Sequence, residues 1–285
     1  TGSPLPRARR LPNSNQLASS TAAKPAGAAA LNGSDRLPRM AGKWYRSPDD
    51  NRCRLLTLLL SPTELDVIGL TAALAATTTL ILLVLGTPLA WWLAHRRGSA
   101  SAMVEAVVAL PLVLPPTVLG FYLLLLLAPS TPLGQFWEQL TGTRLAFSFS
   151  ALVIGSVIYS LPFVVQPLQS AFQNLPRGLL QAGATLGATR WDQFRSLVLP
   201  LTRRSFIAAA SLGFAHTVGE FGVVLMIGGN IPGETQVLSI ALYDQVETLR
   251  FAEAHRLAGG LVVFSLALLF LIYRNNGPAA WRVRI

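Results

Sequence analysis

The chain has 285 residues, of which 52% are hydrophobic and 13% charged. Soluble domains carry about 25% charged residues, so this composition excludes an ordinary water-soluble fold. The net charge of +10 does not mark a nucleic-acid binder: residues 1–54 hold ten Lys/Arg against three Asp/Glu, and the remainder has no basic, aromatic platform on which bases would stack. The single cysteine, Cys53, excludes an internal disulfide framework and a Cys-based metal cluster within one chain.

Residues 1–54 are rich in Pro, Ala, Ser, Asn and Arg and contain no run long enough to bury, which predicts a disordered basic extension. The opening Thr1, in place of Met, points to a fragment, a processed form or an unreliable start. An Arg/Ser-rich, acid-poor leader is compatible with targeting, although an incidental tail is the simpler reading. Residues 55–275 form the membrane domain, and 276–285 a short tail. Within the domain, Ser61-Pro62-Thr63-Glu64 combines a capping serine, a proline at the first helical position and a carboxylate that closes a capping box. A first span follows from about Val67 to Leu93, with Trp91/Trp92 placed for an interfacial belt. A second span, about Met103 to Ala128, is expected to bend at Pro111, Pro115 and Pro116. After a polar connection (Pro129 to Thr143), a third span covers about Ala146 to Val165. A fourth runs from about Ser205 to Ile227, and a fifth from about Leu257 to Tyr273. The connection Gly228 to Arg256 contains a helical stretch near Thr235–Leu249. The expected fold class is therefore an all-α polytopic membrane protein with about five spanning helices.

Basic residues set the expected orientation. Arg96/Arg97, the arginines of residues 167–204 and Arg274/Arg282/Arg284 share one side, whereas the other carries Glu138 with Arg144, then Glu234, Asp244, Glu247 and Glu253 with only Arg250 and the borderline Arg256. The positive-inside rule puts the arginine-rich loop and the C-terminus in the cytoplasm. The basic extension before span one would then lie outside, against the rule.

Residues 178–200 are the most informative segment. Good helix formers in Ala182–Leu186 precede Gly187, which lets the chain turn, and Thr189 is placed to cap a second short helix with Asp192 reaching back. Pro200 is expected to stop that helix. Trp191, Phe194 and Leu197/Val198 make an apolar edge that must pack either on the protein's own helix ends or on a cytoplasmic partner.

The segment resembles the cytoplasmic signature loop of ABC-importer permeases, in which Glu-Ala-Ala is followed by Gly, then Ile and Leu-Pro at fixed spacing. Here Gln181-Ala182-Gly183 stands for Glu-Ala-Ala, Gly187 is the glycine, Leu197 replaces Ile, and Leu199-Pro200 closes the motif. Gln181 removes an acidic docking group, and Gly183 weakens the first helix. The resemblance extends over about Ser61 to Asn275 and is nearest to molybdate permeases through Leu85–Ala94, Leu112–Tyr122, Gly219-Glu220-Phe221-Gly222 and Gly228–Thr235; sulfate, thiosulfate and tungstate permeases share much of this pattern. It implies a type I importer fold in the bacterial inner membrane and a second copy of the chain. It further implies a cytoplasmic ABC ATPase dimer holding ATP and Mg, and an extracytoplasmic oxyanion-binding protein. The loop would couple nucleotide-driven movement to the spans.

The residues agree with that division of labour. Lys24 and Lys43 are the only lysines, and no glycine-rich loop ends in Gly-Lys-Ser/Thr, so the chain is expected to hold no nucleotide or other cofactor and not to be an enzyme itself. An ion-coupled secondary transporter is the alternative of another class, but no internal repeat supports it. Inside the bilayer, His216 and Glu220 are spaced to share a helix face and to hydrogen-bond. They either steady the assembly or line a gate. Thr117, Ser156 and Ser160 are candidate hydroxyls for a translocation path. His95 and His255 fall near opposite faces, so no metal site is expected.

Overall fold

The computed structural model describes residues 61–276. The extension 1–54 and the tail beyond Asn276 lie outside the described residues. All regular structure in the described part is helical.

Helix α1, Pro62–His95, begins as its sequence dictates. Ser61 Oγ accepts from the Glu64 amide at 3.3 Å, the Ser61 amide donates to Glu64 Oε2 at 2.6 Å, and Pro62 occupies the first turn. At 1.5 Å per residue its 34 residues reach about 50 Å, more than a hydrocarbon layer of about 30 Å requires.

The second predicted span proves to be two helices, α2 (Ser99–Val113) and α3 (Pro116–Leu127), bent by 113°. The reason is local. Pro115 and Pro116 both lack an amide donor, and each drives its predecessor out of the helical region, so Leu114 and Pro115 adopt ψ of 136° and 135°. Pro111, by contrast, is carried inside α2. The described chain thus has four helices long and apolar enough to cross a membrane, or five if the bent pair is one span.

The connection read as a polar loop contains helix α4, Pro132–Thr141, capped by Thr131 and ended by Gly142 at φ 71°. Helix α5, Phe149–Gln173, runs through Pro162 and Pro167 without a break. Short helices α6 (Arg177–Thr185) and α7 (Arg190–Gln193) lead through a five-residue π turn, Phe194–Val198, into α8 (Leu199–Gly219). The fourth span does not continue to Ile227 as one helix. It breaks at Glu220 and Phe221 before α9, Gly222–Gly228. Helices α10 (Leu238–Glu247) and α11 (Phe251–Asn276) complete the described chain.

Helices α1, α5 and α8 pack together at the centre. Near the α6–α7 end, Leu82, Leu93, Val164, Leu168, Phe172 and Val198 form one buried cluster. Toward the opposite end, Leu74, Leu152, Val223, Ile227, Val237 and Ile240 form another. The apolar side chains of α11 that stay exposed, such as Val263, Leu266 and Phe270, suit a bilayer rather than water. Two polar ties fasten the end near α10. Thr71 Oγ1 accepts from the Leu238 amide at 2.8 Å, and the half-exposed Arg256 reaches buried Glu64 at 3.2 Å.

Candidate functional site

Two regions carry the sequence-derived candidates, the α6–α7 loop and an open cavity beside the break in the fourth span. In the loop, α6 closes with bonds from the Leu186 amide to Ala182 O (3.1 Å), the Gly187 amide to Ala184 O (3.0 Å) and the Ala188 amide to Gly183 O (3.1 Å). Gly187 sits at φ 80°, where a side chain would be strained, and this reverses the chain toward α7. Thr189 Oγ1 then accepts from the Asp192 amide at 3.2 Å, while the Thr189 amide donates to Asp192 Oδ2 at 3.1 Å. This is the predicted capping box. The Thr189 hydroxyl and amide together hold the Asp192 carboxyl below its ordinary range.

Part of the loop's apolar edge packs on the protein itself and part is exposed. Val198 is buried, and Phe194 and Leu180 pack on the cluster containing Leu93 and Phe172. Trp191 remains 67% exposed, stacked on Phe194 at 5.8 Å, and Gln181, Ala182, Leu199 and Pro200 also face outward. Gly183 has a packing role that local propensity does not reveal: a Cβ there would approach Leu197 Cδ1 to 3.2 Å and Gln193 Cγ to 3.5 Å. Its bare backbone lets α6 lie against the π turn.

Pro200 does not stop the helix. Arg190–Gly219 is continuous, and at the π turn the Leu199 amide bonds to Phe194 O, five residues back. Proline has no amide to give, and its ring crowds the carbonyl four residues earlier; the widened turn relieves both problems. The loop helix is therefore joined to α8 without a break.

The cavity has a volume of about 550 Å³ and is lined by residues that include Thr117, Tyr159, His216, Glu220, Phe221 and Met226. Its walls come from the start of α3, the middle of α5, the end of α8 and α9. Gly222 allows the break to sit close to α3, since a Cβ there would meet Pro116 Cβ at 2.7 Å.

The predicted His216–Glu220 pair does not form. His216 Nδ1 pairs instead with Ser160 Oγ at 2.9 Å, and its ring stacks on Phe163 at 3.9 Å with Tyr159 alongside at 4.9 Å. Helix α8 ends at Gly219, and Glu220 has ψ 131°, so the i, i+4 register is lost at that step. Glu220 is only 3% exposed, and both carboxylate oxygens are buried without a hydrogen-bond partner. Ser156 Oγ lies beside the carboxylate, but no hydrogen bond closes between them, and that hydroxyl is unpartnered too. The Glu220 carbonyl accepts from Ser239 Oγ at 2.5 Å.

Of the five path candidates, Thr117, His216 and Glu220 thus line the cavity, while Ser156 and Ser160 are fully buried behind it. Tyr159 was not singled out from sequence. Its signal was an aromatic with a polar tip inside an apolar run, next to Ser160. Among the described residues, no group of three or more His, Cys, Asp or Glu is placed to hold a metal.

Residues 86–276 match the family described as binding-protein-dependent transport system inner membrane component. The molybdenum transport system permease protein ModB of Azotobacter vinelandii is 56% identical over 217 residues, covering 76% of this chain and 96% of that protein. The sulfate transport system permease protein CysT of Salmonella typhimurium is 33% identical over 189 residues, covering 66% and 68%. Among solved structures, a chain of a bacterial ABC transporter that imports the acidic polysaccharide alginate superposes with a TM-score of 0.59 at 17% identity, covering 79% of this chain and 81% of that one. With four or five candidate spans and this match over two thirds of its length, the chain belongs to the inner-membrane permease family of binding-protein-dependent transport systems.

Proposed function

We propose that the chain is the membrane-spanning subunit of an ATP-driven importer that carries molybdate inward. The observation that carries this reading is the 56% identity to a molybdenum permease across nearly that protein's whole length. In this reading two copies of the chain flank the path, and an extracytoplasmic binding protein delivers the anion. A cytoplasmic ATPase dimer with its own ATP and Mg grips Gln181–Pro200, with Trp191 as the exposed knob. The arginine-rich loop and the C-terminus face the cytoplasm. The continuous helix from Arg190 to Gly219 supports a lever role for the loop, because displacement at Trp191 moves the α8 end that borders the cavity.

Sulfate is the second reading, favoured by the 33% identical sulfate permease. Uptake of labelled molybdate into vesicles holding the complete transporter decides between them, with excess sulfate or tungstate as competitors. Molybdate uptake that needs ATP and the binding protein, and that sulfate does not displace, is the expected result. Displacement by sulfate but not by tungstate would replace the molybdate assignment.

A further inference from the structure

The hydrogen bonds behind the cavity determine what His216 presents to it. Thr217 Oγ1 donates to Gly213 O at 3.0 Å, so toward Ser160, 3.1 Å away, Thr217 can only accept. The one Ser160 proton is thereby committed to Thr217. His216 Nδ1, 2.9 Å from Ser160 Oγ, must then be the donor in that contact. A neutral imidazole with its proton on Nδ1 carries a lone pair on Nε2. Nε2 has no partner among the described residues and is not one of the enclosed polar atoms, and its residue lines the cavity.

Two more groups share that wall. The Tyr159 hydroxyl and Thr117 Oγ1 have no hydrogen-bond partner among the described residues; Tyr159 is half-buried and Thr117 exposed, and both line the cavity. They come from α5 and α3, so three different elements contribute unengaged polar side chains to one wall. No Lys or Arg lines it, and the Glu220 oxygens are shut away from it. A lone pair on Nε2 would repel an anion, whereas a proton there makes all three groups donors.

We propose that Thr117, Tyr159 and His216 form a transient subsite for a tetrahedral oxyanion, in which His216 Nε2 takes up a proton as the anion enters and gives it up as the anion leaves. The subsite rests on the importer reading above but not on the choice of anion. The imidazolium lies flat on Phe163, whose ring face favours a cation. The titratable groups around it are Tyr159 on α5 and Glu220 just beyond its own helix; α3 and α9 contribute none to the wall. In the neighbouring α1 the only acidic residues, Glu64 and Asp66, are confined to the start of the helix. One reversible charge without a fixed cation gives a weak site, as rapid passage requires.

The test compares oxyanion uptake by the complete transporter in proteoliposomes for wild type, His216→Gln and His216→Leu, over about pH 5 to 8, toward the acid side of which an imidazole gains its proton. The same binding protein serves all three, so any pH dependence of loading is common to them. Wild-type uptake is expected to fall as pH rises. His216→Gln places a permanent amide donor near Nε2, so its uptake should persist with a flat profile. His216→Leu should lose about tenfold at low pH, the scale of one charge-assisted hydrogen bond, and also lose the slope. Co-purification of every subunit establishes that the variants assemble. Molybdate and sulfate are run in parallel. Carriage of sulfate alone overturns the molybdate reading and not the subsite. A wild-type pH slope retained in His216→Gln, with whichever anion is carried, overturns the subsite. Uptake of neither anion overturns both.

Discussion

Close helix packing in this protein depends on single atoms at a few glycines. At Gly213 on α8, an added Cβ would approach Val164 Cγ2 to 2.8 Å, inside the cluster where α1, α5 and α8 meet. Val164 is fully buried and branched, so it has little room to yield. Gly213→Ala should therefore push α5 and α8 apart and destabilise the protein by about 1–3 kcal/mol, the usual cost of overfilling a packed interior. A lowered melting midpoint of the detergent-solubilised protein, with Gly259→Ala as the control, checks this. Gly259 has no atom within 4 Å of its notional Cβ, so its substitution should leave the midpoint unchanged or raise it. Asp192 works by charge instead of volume. Its carboxyl is held below the ordinary range by Thr189, so the cap is at full strength above that range and is lost as pH falls through the depressed value.

The loop elements show how a short helix is held in place. Four residues of α7 cannot hold a helix unaided. The Thr189–Asp192 box starts it, the π turn joins it to α8, and Phe194 and Val198 anchor it in the core. Trp191 contributes little to that anchoring, so Trp191→Ala should leave the permease stable while cutting transport and transport-coupled ATP hydrolysis several-fold, on the scale of losing an aromatic anchor at an interface. Gly187→Val should have a similar effect for a different reason, since a branched residue at φ 80° costs about 1–2 kcal/mol and redirects α7. In both, the affinity of the binding protein for its anion should not change. Coupled hydrolysis at the wild-type rate in correctly assembled variants would refute the docking role. Both capping boxes were legible in the sequence because they are local: donor, acceptor and proline stand within four residues. The Gly183–Leu197 contact, the π turn at Pro200 and the Ser160–His216 bond were not. Each depends on where a distant segment comes to rest, and the helix break at Glu220 removed the register on which the His216–Glu220 pairing had been based.

At the scale of the whole molecule, the proposed coupling depends on which end of the bundle is cytoplasmic. The described helices place α6 and α7 at one end. The Arg256–Glu64 tie and α10 lie at the other, since α1 starts beside α10 and finishes in the cluster that holds Phe194. The charge on these ends is unequal: Arg96, Arg97, Arg190, Arg195, Arg203 and Arg204 against Asp192 gather near the first, and Glu64, Asp66, Asp244, Glu247 and Glu253 against Arg250 and Arg256 near the second. Basic loops resist translocation, so the first end should be cytoplasmic. Single cysteines at Leu186, 87% exposed in the α6–α7 turn, and at Glu247, exposed at the end of α10, report on the two ends once Cys53 is replaced by Ser. In intact spheroplasts a membrane-impermeant maleimide should label Glu247→Cys and spare Leu186→Cys, and permeabilisation should make Leu186→Cys reactive. The opposite pattern would put Trp191 outside the cell, where no ATP-driven partner could reach it, and the coupling role would fall with the orientation.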